Sequence, residues 1–151
     1  MFRIRLVLAL LLAFILSQAT FAGSSESAKV QNKFKEYFNS ISVKVKEAAT
    51  PAEKREILNN SFEKFNKALT KIISMKGIPA GDIKALNSLK ASVTDKYNEL
   101  NGLHGYTKVQ DNQLNNFSDY VKQDMEQADQ WVTISVTTLL LIVILVILLV
   151  R

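Results

Sequence analysis

Few residues in this chain are equipped for chemistry. One histidine, His104, and no cysteine occur among 151 residues, so a closed zinc site and thiolate catalysis both lack their reagents. Ser42 and Lys46 fall one helical turn apart, a spacing at which an amine can activate a hydroxyl. Such pairs arise freely in a chain rich in Ser and Lys, and neither a strained turn nor an oxyanion donor accompanies this one. The run Gly77-Ile78-Pro79-Ala80-Gly81-Asp82 has the look of a glycine loop, but a phosphate loop carries Lys followed by Ser or Thr after its last glycine. It reads as a connector between helices. The expectation is a protein that is not an enzyme, with no catalytic residue, no metal, no cofactor and no small-molecule substrate.

Binding chemistry is better represented. Residues 26–76 carry 11 basic and 6 acidic side chains, net +5, whereas residues 82–129 carry 5 and 8, net −3. A basic first half against an acidic second half can align antiparallel helices or offer two faces to partners. Lys33, Lys35, Lys44, Lys46, Lys54 and Arg55 are the candidates for contact with an anionic lipid or polymer surface. The plainer reading of these six is a solvated helix face. The overall charge of +5 argues only weakly for nucleic acid, because Arg3, Arg5 and Arg151 flank apolar ends, and no nucleic acid is expected. Phe34, Tyr37, Phe38, Phe62 and Phe65 read as core aromatics rather than as base-stacking platforms.

The two apolar ends are different objects. Arg3 and Arg5, the run Leu6 to Leu16 and the small-residue stretch ending in Ala22 follow the order of a signal peptide over 1–22. Eleven apolar residues of helix reach only about 16 Å, half of the hydrocarbon slab. Cleavage before Gly23 fits best, with cleavage after Ala19 or retention of the segment as alternatives. At the other end no charge interrupts Val132 to Val150, and nineteen helical residues reach about 28 Å, enough to span. A transmembrane helix is expected over 131–150, with Trp131 and Arg151 as its interfacial anchors. Thr133 and Thr137, one turn apart, are candidates for contact with a second helix in the membrane. Arg151 selects the cytoplasmic side, so the body should lie outside, periplasmic or extracellular.

Elements between the ends are helical. A flexible tether is expected over 23–28, followed by an exported body over 29–130. Val30, Phe34, Tyr37, Ile41 and Val45 line one helix face. Thr50, Pro51 and Glu53 form a capping box that opens a second helix, whose seam of Leu58, Phe62, Phe65, Leu69 and Ile72 has bundle or coiled-coil spacing. Asp82 should cap a third helix carrying Leu86, Leu89, Val93 and Leu100, broken at Asn101-Gly102. Leu114, Phe117, Val121 and Met125 mark a fourth. No Gly or Pro interrupts residues 107–151, which predicts one long helix. The expected fold is all-α: an exported up-down bundle of three to four helices, the last continuous with a single C-terminal transmembrane helix.

That arrangement suits a membrane-anchored, non-enzymatic helical interaction module: an adaptor, a tether or a subunit of an envelope or cell-surface complex. Expected partners are the membrane and another membrane or envelope protein, or a second copy of the chain. The alternative is a surface protein that binds anionic lipid or polymer through its basic first hairpin.

Overall fold

A computed structural model describes residues 25–127 and 134–150. The expected signal peptide over 1–22, Trp131, Thr133 and Arg151 lie outside the described residues. The described chain is all-helical: α1 Ser25–Glu47, α2 Pro51–Ile73, α3 Ala80–Asn101, a 3₁₀ turn Asp111–Gln113, α4 Leu114–Gln127 and α5 Val136–Val150. No strand occurs among the described residues.

The first four helices form an up-down bundle. Asn59 on α2 meets Asn101 on α3, and Asn66 meets Thr94, so the partner's residue number falls as the helix's own rises. Asn39 meets Lys122, and Ser42 meets Asp119, in the same antiparallel sense between α1 and α4. α2 is the central helix, packed against every other one. Its seam, Leu58, Phe62, Phe65, Ala68, Leu69 and Ile72, is almost fully buried, as the spacing predicts. The Thr50 capping box forms: the Thr50 hydroxyl accepts from the Glu53 amide, and the Glu53 carboxylate accepts from the Thr50 amide. Two orphan donors of the first turn are thereby satisfied.

Four expectations are corrected. First, α1 already begins at Ser25, inside the expected tether, and its most buried positions are Phe34, Phe38, Ser42 and Val45, whereas Tyr37 and Ile41 are half-buried. The buried arc turns because α1 packs against α4 as well as α2, and the Ser42 hydroxyl donates to Asp119 of α4. Second, Asp82 does not cap α3. That helix starts at Ala80, with Pro79 in the cap position and no side-chain cap bond.

Third, the fourth helix does not begin near Thr107. Gly102 ends α3 with φ +68, and a Cβ there would meet the Lys108 Cβ at 2.8 Å. The chain crosses close over itself, and 106–110 has no helix. The Arg55 guanidinium fixes this crossing by donating to the carbonyls of Leu100 and Val109 and to the Asp111 carboxylate.

Fourth, residues 107–151 are not one helix. α4 is described as far as Gln127, and Ile134 and Ser135 are not helical. α5 lies in the trough between α1 and α2, burying Leu139, Ile142, Leu145 and Val146. No helix among the described residues is long and apolar enough to cross a membrane. The 15 residues of α5 reach about 22 Å, short of the roughly 30 Å hydrocarbon slab.

Candidate functional site

Where α5 lies along the first hairpin, the three helices do not close completely. They leave a groove of about 550 Å³, within the range of roughly 300–1,000 Å³ common for ligand sites. Its apolar walls are Tyr37 and Ile41 from α1, Ile57 from α2 and Val143, Val146 and Ile147 from α5. Lys33, Lys44 and Lys64 stand on its rim, with Glu36 as the one acid. Glu36 is already engaged by Lys33 at 2.7 Å. Lys44 and Lys64 have no hydrogen bond or ion pair among the described residues, and Lys64 is half-buried. Ser40, Asn60 and Ser61 also line it, so the groove is mainly apolar along its walls and cationic at its edge.

Tyr37 adds a polar anomaly. Its ring stacks on Phe65 with centroids 6.1 Å apart, yet its hydroxyl is buried without a hydrogen-bond partner among the described residues. Burial holds the phenol protonated, with a pKa pushed far above its usual range. An unpaired buried hydroxyl costs about 1–3 kcal/mol.

The six basic candidates divide by task. Arg55 fixes the crossing loop, Lys54 donates to Asn115 Oδ1 at 2.8 Å, and Lys46 pairs with Asp119 at 2.7 Å. Those three join the first hairpin to the second half, and two of them, Lys46 on Asp119 and Arg55 on Asp111, use the charge asymmetry in the sequence inside the fold. Lys33 and Lys44 reach the groove. Lys35 is exposed and has no bond among the described residues. Lys64, which sequence reasoning missed, completes the rim; its neighbour Phe65 was visible as a seam residue, but only the position of α5 places Lys64 beside a groove.

Ser42 and Lys46 do converge, but on a third group. Both bond to Asp119 Oδ1, at 2.8 and 2.7 Å. The Lys46 and Ser42 contacts, with Lys122 farther off, hold the Asp119 carboxyl below the ordinary carboxylate range. Ser42 is buried, so its hydroxyl serves as a pin between α1 and α4. His104 sits exposed in the loop after α3 with φ +50. No group of three or more metal-ligating side chains comes together among the described residues.

A second polar cluster is missing from the sequence reading. Asp82, buried in the first turn of α3, accepts from the Ser135 amide at 3.1 Å, the Ser135 hydroxyl at 2.5 Å and the Thr138 hydroxyl at 2.6 Å. Ser135 accepts the first backbone bond of α5 from Leu139. Asp82 therefore places a carboxylate at the N-terminus of α5, where the helix dipole favours it. Thr137, the described member of the expected membrane-contact pair, is exposed. Farther along, Lys96 of α3 is buried against Tyr120 and Asp124 of α4. Its burial alone would lower its pKa, but the Tyr120 hydrogen bond and the nearby Asp124 and Glu99 carboxylates outweigh that and raise it. Comparison with protein-family models, with curated proteins and with solved structures finds no match to this chain.

Proposed function

We propose that this chain is a membrane-associated, non-enzymatic helical interaction module, exported so that its bundle lies outside the membrane while the segment 131–150 holds it there. One observation carries the reading: the run Val132 to Val150 carries no charge and is wholly apolar from Leu139 on, and Ile147, Leu148 and Leu149 remain exposed when α5 is docked. A helix that is apolar all round asks for more cover than one trough gives, and hydrocarbon supplies it. Docked and inserted are alternative positions for the same residues. Moving from one to the other exchanges the α1–α2 trough for lipid and breaks the bonds to Asp82.

Protease accessibility on intact cells or sealed vesicles, with a tag after Arg151, tests this. A body digested from outside, a protected tag and a mature mass beginning at Gly23 are expected. A protected body overturns the orientation, and a chain released from membranes by salt alone overturns the anchor.

A second reading, contact of the first hairpin with an anionic lipid or polymer surface, is favoured by Lys35, Lys44 and Lys64, which have no bond among the described residues. Partner helices and a second copy of the chain are the interaction classes that suit the first reading.

A further inference from the structure

We infer that the groove between α1, α2 and α5 is a binding site for a single-chain amphiphilic anion, an acyl chain ending in a carboxylate or phosphate. The inference rests on reading the first hairpin as an anion-binding surface, and narrows that surface to one site and one ligand class.

Shape and charge together select the class. The walls formed by Ile41, Ile57, Val143 and Val146 are apolar, and of the polar side chains beside them the Ser40 and Ser61 hydroxyls already donate to their own helices, which leaves the Asn60 amide. A flexible hydrocarbon chain gains by leaving water along such walls. Each buried methylene contributes about 0.8 kcal/mol, roughly a fourfold gain in affinity. The rim decides the head. Lys33 and Lys64 stand at one end of the opening and Lys44 one turn beyond Ile41, the single acid is paired with Lys33, and Lys64 is half-buried with no partner among the described residues. A partly desolvated ammonium is stabilised by an anion and repels a cation. Tyr37 stacks on Phe65, which places Lys64 at the level of Tyr37, toward the Lys33 end of the hairpin. The head group belongs at that end, and the chain runs from it along Ile41 and Ile57 beside α5. The Tyr37 hydroxyl is closed off within the wall, so the lysines and the apolar walls carry the site.

One groove and one rim of lysines also set the number of chains. Two-chain lipids would leave one chain outside the 550 Å³ available, so a single-chain species fits best. Such an amphiphile has two sources, free in solution or drawn from a bilayer, and the two can be told apart.

The test uses the full chain in nanodiscs of zwitterionic lipid, with diazirine-bearing palmitate as probe and the matching alkyl trimethylammonium as its cationic counterpart. After irradiation, labelled positions are read by peptide mass spectrometry. Inserted α5 meets lipid directly, so the α1 and α2 walls decide: palmitate is expected to label Tyr37, Ile41 and Ile57, which line the groove with α5 docked, the cation to leave them unlabelled, and Lys64→Glu to reduce that labelling about tenfold while Lys71→Glu, away from the groove, leaves it unchanged. Equal labelling by the cation, or labelling confined to α5, overturns the site. Cosedimentation with anionic vesicles separates the two levels of the argument. Salt-sensitive binding to vesicles without groove labelling sinks the groove and spares the surface reading; binding to neither sinks both. Labelling by palmitate added from solution, and by the same probe preloaded in the bilayer, identifies the source, and failure of both routes counts against the site.

Discussion

α1 is held along its two flanks by different chemistry. Against α4 the contact is polar and directional: Asp119 accepts from Ser42 and Lys46, and Lys122 donates to Asn39. Against α5 the contact is apolar, incompletely closed, and leaves the Tyr37 hydroxyl without a partner among the described residues. Directional bonds fix a register, because a slip of one residue breaks them, whereas apolar contact tolerates sliding and repacking. Four helices are therefore pinned to one another, while the fifth is laid on them and caught at one end. That end is Asp82.

The largest effect is expected from breaking the catch. Asp82→Ala strands the Ser135 amide and two hydroxyls, and the loss of three bonds to a buried carboxylate should cost the docked position of α5 about 2–3 kcal/mol. Hydrogen exchange across Leu139 to Val146 should accelerate roughly 30- to 150-fold, while the amides of α2, from Leu58 to Ile72, keep their protection. Uniform acceleration throughout all five helices would show that α5 is as integral as the others and would break the comparison.

A smaller change of opposite sign comes from the α5 flank itself. Tyr37→Phe keeps the ring that stacks on Phe65 and removes a buried hydroxyl that has no partner among the described residues. Stability should rise by about 1 kcal/mol, read from the midpoint of denaturant unfolding. A loss of stability would mean that the hydroxyl is satisfied, and that the two flanks of α1 differ less in polarity than argued.

These contrasts mark what the sequence could and could not disclose. The α2 seam and the Thr50 capping box were legible because both are local: spacing and three residue types decide them. The crossing loop was not legible, because nothing in 107–113 forbids helix; a guanidinium some fifty residues earlier, Arg55, holds the Val109 carbonyl and the Asp111 carboxylate there. Nor was the break before α5, since neither glycine nor proline marks it. Asp82 looked like a cap for the helix it opens, and its carboxylate instead serves a helix distant in sequence. The groove depends on that same long-range placement, so its lysines were visible as charges while their common position beside an apolar wall was not.

The pinned flank yields the smallest prediction, and it is a matter of pH. Asp119 has a carboxyl whose pKa is lowered from the ordinary 3.8, first by the Lys46 contact and then by the Ser42 hydroxyl. A group with a depressed folded-state pKa contributes stability that is fully present above the unfolded value and lost as pH falls through the folded one. The contribution of this pin should therefore be intact at neutral pH and vanish progressively below about 3.8. Both side chains are substantially exposed, so solvent and salt screen the pair and its worth is at the low end for ion pairs. In Asp119→Asn, the acid limb of the stability profile should flatten slightly relative to the parent, and added salt should erase the difference. A variant that instead loses stability equally at pH 3 and pH 7 would show that the Ser42 and Lys46 bonds act through packing of α1 on α4, and the flank would be pinned by shape rather than by charge.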